Sequence, residues 1–301
     1  MEDNKRISMI MHGIIILLEI VIIILVTTCS GSKCCDRVIV DTGGGGGNST
    51  DSVYNISVLL DLSDRLEADS QIEKDTLLIS YIEDWFINHH KSLPKNEWFK
   101  NGDKMKVFFY PQPQIPSINK YQEDLSVEMI IKSNGLAQKN EMVANRDKLD
   151  TMTTVWHNAL DEIYANTIKT KNWVGSDIWG FFDKSARTQC IKKGCRNILV
   201  VLTDGYLYHE NSWHKGANGV YTGISPLTVA TQEKITSVNA DLSELEVLFL
   251  ELNPNKNTDF AKMKQLLTQW CSDMGIKHVE VAQTDLPANT KQVIENFLNK
   301  Q

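Results

Sequence analysis

The sequence predicts an α/β fold: a doubly wound, mostly parallel six-stranded sheet with one antiparallel edge strand and helices on both faces. Three observations predict it. From residue 53 onward, apolar runs of strand length alternate with longer amphipathic stretches, the pattern of a parallel sheet wound by helices. Two of these runs, Ser57 to Leu60 and Asn197 to Leu202, end abruptly in polar residues. Buried parallel strands do this when they deliver polar groups to the mouth of a sheet. A third stretch places Leu125, Val127, Met129 and Ile131 at period two, the mark of a half-exposed edge strand.

Taken in order, Val53 to Leu60 is apolar enough for a central strand. From Ser70 a helix carries Ile72, Ile79, Ile82 and Phe86 on one face, with Leu78 and Trp85 beside them. It ends near His89-His90, a pair expected to be solvated at the helix C-terminus, and Pro94 enforces the stop. Lys104 to Tyr110 is the second strand, cut off by Pro111, Pro113 and Pro116. After the edge strand, two helices are expected over 137–149 and 151–168, then a third over 177–191 with Ser176 as N-cap. The strand to Thr203 leads into a long loop from Tyr206 to Ser225. Leu245 to Leu252 is a strand, Asp259 to Met274 a helix stopped by Gly275, His278 to Ala282 the last strand and Asn289 to Leu298 the closing helix.

The Thr203 end falls where the chain recrosses the sheet to the other side of the first strand. Adjacent strands on either side of such a crossing open a crevice. Asp61, Ser63 and Asp204 are therefore expected together at one rim.

Composition narrows the partners. The 31 Lys+Arg against 38 Asp+Glu leave a formal net charge of -7. Only short basic clusters occur, such as Lys192-Lys193 with Arg196, too few to neutralise a run of phosphates, so no nucleic-acid partner is expected.

The N-terminus stands apart from the folded body. Lys5 and Arg6 precede an apolar run from Gly13 to Val26, interrupted by Glu19, and small residues lead to Cys29. This is the layout of an export signal, and Cys29 after small residues resembles a bacterial lipobox, which would make it the lipidated residue. An uncleaved anchor is the alternative. Residues 1–28 are thus a signal peptide or membrane anchor. Residues 29–52 are a tether whose five glycines, Gly43 to Gly47, behave as flexible coil. The body is expected outside the cytoplasm, membrane-anchored, in the periplasm or on the cell surface. Cys190 and Cys195 flank a turn and are compatible with either a local disulfide or two thiols.

Clustered Asp, Ser and Thr oxygens at a strand end suit a hard cation such as Mg²⁺. At this point the chain resembles a known family. Asp61-Leu62-Ser63 after the first strand and Thr203-Asp204-Gly205 after the fourth parallel the metal-ion-dependent adhesion site of von Willebrand factor A (VWA) domains. Thr154, five residues before Ala159-Leu160, resembles the threonine that this family supplies from a loop, with Thr151 and Thr153 close by. The resemblance covers residues 53–301. It implies a protein-binding module in which Asp61, Ser63, Thr154 and Asp204 hold Mg²⁺ or Mn²⁺ and a partner's carboxylate completes the shell. The pattern departs at Arg65, which stands where the family has a second serine. A guanidinium could replace the metal by pairing with Asp61 or Asp204, or point away from it.

The loop after Gly205 is rich in aromatics, and Tyr206, Tyr208 and Trp213, with Arg65, are the candidate contacts to a partner. His209, Glu210 and His214 are spaced one residue too far for a zinc-protease helix. Two other functions compete with metal-dependent binding. One is a metal-free scaffold in an envelope assembly, with Arg65 neutralising the carboxylates. The other is a phosphotransferase, which would need an acid where Ser63 stands. The expectation is a binding protein rather than an enzyme.

Overall fold

The computed structural model describes residues 53–92, 102–111, 116–170, 176–207, 223–256 and 259–300. Six strands form one sheet: β1 (Val53–Leu60), β2 (Lys104–Phe109), β3 (Ser126–Glu128), β4 (Cys195–Leu202), β5 (Leu245–Leu252) and β6 (His278–Gln283). Their order is β3-β2-β1-β4-β5-β6, parallel except for β3, which pairs antiparallel with β2. The sheet class and the antiparallel edge are as the sequence predicts. The order reverses between β1 and β4, which pair in register from Val53↔Cys195 to Leu60↔Leu202. The crevice of a doubly wound sheet opens there.

The helices are α1 (Gln71–Lys91), α2 (Pro116–Gln122), α3 (Gly135–Thr170), α4 (Ile178–Lys184), α5 (Ala186–Cys190), α6 (Asp259–Asp273) and α7 (Pro287–Asn299). Strand alternation divides the core in two. Ile56, Val58, Leu60, Ile198, Val200 and Leu202 face α1, α2, α3 and α7, whose Phe86, Trp156 and Phe297 are buried against them. Leu59, Leu199, Val201 and Phe249 face α4, α5 and α6, with Phe182 and Trp270 tilted together at 4.8 Å. Central strands buried on both faces explain the continuous apolar runs in the sequence.

Local differences from expectation have local causes. The two helices expected over 137–149 and 151–168 are one continuous helix, α3. No Gly or Pro interrupts it, and Asn145, Leu149 and Met152 lie on one buried side through the expected break. Conversely, the single helix expected over 177–191 divides at Ser185, and its N-cap is Asp177, whose Oδ1 accepts the Gly180 N–H at 2.8 Å. Cys190 and Cys195 are not bridged.

His90 corrects a further expectation. It is buried rather than solvated, with Nδ1 2.7 Å from the Phe86 carbonyl and Nε2 3.1 Å from Asp103 Oδ2. Asp103 Oδ1 accepts the Tyr54 N–H at 2.7 Å, so this pair ties the end of α1 to the start of β1.

Among the described residues no helix is long and apolar enough to cross a membrane. The signal or anchor at 1–28, the tether at 29–52 and Cys29 lie outside the described residues.

Candidate functional site

The site lies where β1 and β4 end. Asp61 N–H donates to the Leu202 carbonyl at 3.0 Å, extending the pairing of the two strands by one residue. The first residues past each strand therefore emerge side by side, and Asp61, Ser63, Thr203 and Asp204 meet, as the topology predicts.

Asp61 is 3% exposed, and both its oxygens accept hydrogen bonds. Oδ1 takes the Ser63 N–H at 3.0 Å and Oδ2 takes the Thr203 hydroxyl at 2.8 Å. A one-turn 3-10 helix, Asp64–Glu67, then turns the chain toward α1. Asp204 is half-buried and its Oδ1 accepts the Tyr206 N–H at 2.9 Å. Gly205 follows at φ +95°, and a Cβ there would collide with Met263 Sδ and Leu252 Cγ. The Thr-Asp-Gly order is thus required by space as well as by backbone conformation.

Burial raises both carboxyls, and the charge of Asp61 raises Asp204 further. Asp61 is pushed up chiefly by burial, against the opposing charge of Arg65 and the hydrogen bonds from Ser63 and Thr203. Asp204 is pushed up to about 7, first by burial and then by the negative charge of Asp61.

Arg65 is the position on which the chemistry turns, and its guanidinium points away from the rim. Nη2 lies 2.6 Å from Asp75 Oδ2 and Nη1 3.3 Å from Asp75 Oδ1. Nε donates to the Asp61 main-chain carbonyl at 3.0 Å, and Nη2 also reaches the Leu202 carbonyl at 3.3 Å. The nearest approach to the Asp61 carboxylate is 3.9 Å. Burial opposes the charge of Arg65, but Asp75 and Asp61 hold its pKa above the usual range. Its side chain is 5% exposed, so it is not the partner contact that the sequence suggests.

Asp75 is missed by the sequence reading. It is fully buried on α1, and it also accepts from Gln71 Nε2 at 2.8 Å and the Tyr164 hydroxyl at 3.4 Å. A signal was present: Asp75 stands four residues before Ile79, an acid on the apolar stripe.

Thr154 is a correction. It sits within α3, not in a loop, and is exposed. Tyr164 marks the part of α3 that reaches Asp75, and Thr154 lies roughly 15 Å back along the helix axis from it. Tyr206 is half-buried, and its hydroxyl accepts the Asn255 N–H at 2.7 Å, which ties Tyr206 to the segment after β5. Tyr208 and Trp213 lie outside the described residues.

The donors that meet at the rim are oxygens: the carboxylates of Asp61 and Asp204 and the hydroxyls of Ser63 and Thr203. Oxygen donors fit a hard divalent cation and not a soft one. Asp61 accepts from the Ser63 N–H, the Ser63 hydroxyl and the Thr203 hydroxyl, fewer bonds than the roughly four lone-pair sites of a carboxylate. Among the described residues no three His, Cys, Asp or Glu side chains gather at metal-binding spacing. A cation here would rely on two carboxylates, hydroxyls and water, a balance that Mg²⁺ tolerates because it keeps several waters.

No protein-family model matches the chain, and no curated protein matches it. Two solved structures of the pilus adhesin SpaC from Lactobacillus rhamnosus GG, one in an open conformation, align with 84% of this chain at 10% identity. Their TM-scores are 0.35 and 0.36, and the match covers 30% and 31% of the adhesin chain. The likeness in shape is distant, and the chain spans less than a third of the adhesin's length.

Proposed function

We propose that the chain is a VWA-like binding module, tethered at the outer side of a bacterial membrane. In this reading it holds Mg²⁺ or Mn²⁺ at Asp61, Ser63 and Asp204 and engages an acidic group on a protein partner. One observation carries the proposal: the rim has more buried negative charge than its own cations match. Arg65 pairs with Asp75 at 2.6 Å and reaches the Asp61 carboxylate only at 3.9 Å, and Lys74 pairs with Glu251 at 2.6 Å. Asp61 and Asp204 remain, each raised by burial and Asp204 further raised by its neighbour. Buried charge of this kind is costly unless paired, protonated or bound to a metal.

The residues divide the work. Asp61 and Asp204 supply charge, the Ser63 hydroxyl supplies a neutral oxygen, and Thr203 orients Asp61. Arg65 and Asp75 brace the turn after β1 from beneath. A bound cation would supply an open coordination position for a carboxylate.

The scaffold alternative required Arg65 to neutralise the rim, and its commitment to Asp75 weakens that reading. The test is thermal unfolding of the purified chain in EDTA, then with Mg²⁺, Mn²⁺ and Ca²⁺ in turn. A ligand that binds only the folded state adds about 2.7 kcal/mol at a hundred times its Kd. A midpoint that rises with Mg²⁺ or Mn²⁺, and not in Asp204→Ala, supports the cation site. No rise with any cation overturns it and returns the scaffold reading to first place.

A further inference from the structure

The end of β5 breaks the strand rule. Alternation sends Val247 and Phe249 to one core cluster and Leu248 and Leu250 to the other. Continued, it would send Leu252 to the cluster of Leu250. Leu252 lies instead with Phe249, and the pairing of β5 with β6 shifts register between Phe249 and Leu252. The break falls at Glu251, whose φ of 70° is left-handed. A bulge adds one unpaired residue and re-aims its side chain. Here it turns Glu251 toward α1. A side chain at such a φ is strained and persists only where its surroundings hold it.

Those surroundings are specific. Glu251 is 2% exposed. Its Oε2 takes Lys74 Nζ at 2.6 Å and the Thr284 hydroxyl at 2.8 Å, and Lys74 also meets the Thr284 hydroxyl. The bulge stands beside Asp204. Thr203 N–H donates to the Leu250 carbonyl at 3.2 Å, and Asn253 N–H donates to the Asp204 carbonyl at 2.9 Å. The backbone carrying Asp204 is thus pinned on both sides of residue 251, and the kink at Glu251 sets the spacing of the two pins. Lys74 is next to Asp75, so one turn of α1 braces both walls of the rim.

We propose that Glu251 is a positioning residue for the cation site. Its carboxylate, clamped by Lys74 and Thr284, holds the bulge that sets Asp204 against Asp61. This inference rests on the reading of Asp61 and Asp204 as a cation site, and Glu251 acts through the backbone of Asp204.

The test combines calorimetric titration of the full chain with Mn²⁺, at a temperature where every variant is folded, with amide hydrogen exchange at Asn253. Glu251→Ala weakens Mn²⁺ binding by about 10- to 100-fold, as loss of an outer-shell partner does, and Asn253 exchanges faster. Glu251→Gly adopts the positive φ without steric cost and stays within about threefold of the wild type. That rescue separates positioning from plain stability, because losing a structural ion pair lowers the melting temperature of both variants without moving Mn²⁺ affinity. Unchanged affinity and unchanged exchange in Glu251→Ala overturn the proposal. If the wild type takes up no Mn²⁺, the cation reading falls by itself. Exchange then decides the positioning role, and Asn253 protection retained in Glu251→Ala overturns it.

Discussion

Arg65 and Asp75 meet fork to fork, 2.6 Å apart at their closest atoms, at the base of the rim and not within it. Both side chains are almost wholly buried, and Gln71 and Tyr164 complete the hydrogen bonding of the carboxylate. Removing one partner of a buried pair strands the other charge. Arg65→Met is therefore expected to destabilise the fold by about 3–5 kcal/mol in urea denaturation, and Arg65→Met with Asp75→Leu to recover most of that loss. A small effect of Arg65→Met alone would mean that the pair does not brace this turn.

Asp204 gives the cation-free protein a pH dependence of defined sign. Its folded-state value is raised from 3.8 to about 7. The stability tied to its protonated form is fully present below about pH 4 and is lost as pH rises through about 7. Asp204→Asn should flatten the urea midpoint between these limits in EDTA. Cation affinity runs the other way and tightens over the same window, because protons compete for the carboxylates.

Glu83 sets a second slope, independent of the rim. It is fully buried on α1, neither carboxyl oxygen has a hydrogen-bond partner among the described residues, and burial and then Asp84 push its pKa up to about 8. Stability from its neutral form is present below about pH 4.5 and lost as pH rises through about 8. Glu83→Gln should flatten the decline, and Glu83→Met should raise stability at pH 9 by on the order of 3 kcal/mol. A wild-type midpoint that does not fall between pH 5 and 9 would remove this account.

The His90–Asp103 pair holds the opposite end of the sheet. Asp103→Ala strands the Tyr54 N–H and leaves His90 facing no carboxylate, an expected loss of about 1–3 kcal/mol. Asp103→Asn keeps an acceptor for Tyr54 and should lose less. Equal losses in both would place the whole effect on the charge.

Much of this molecule is written locally. Six strands, the edge at 125–131 and the crossing between the first and fourth strands follow from apolar runs, period and order. Central parallel strands must be apolar on both faces, and polar residues can appear only where a strand ends. For the same reason Asp61, Ser63 and Asp204 could be placed at one rim. Helix boundaries were less legible. The join at 150 and the break at Ser185 depend on which side chains find buried neighbours, and Thr154 was misplaced with them.

What only the tertiary structure decided is where charge goes. Asp, Ser and Thr after two neighbouring strands already predicted a polar rim, and Arg65 already stood out as the departure. Whether Arg65 fills that rim or leaves it depended on Asp75, ten residues away on another element. The energy of a buried charge is set by the nearest opposite charge in space, and sequence separation does not report that distance. The same holds for Glu251, whose bulge and ion pair with Lys74 join residues far apart in the chain.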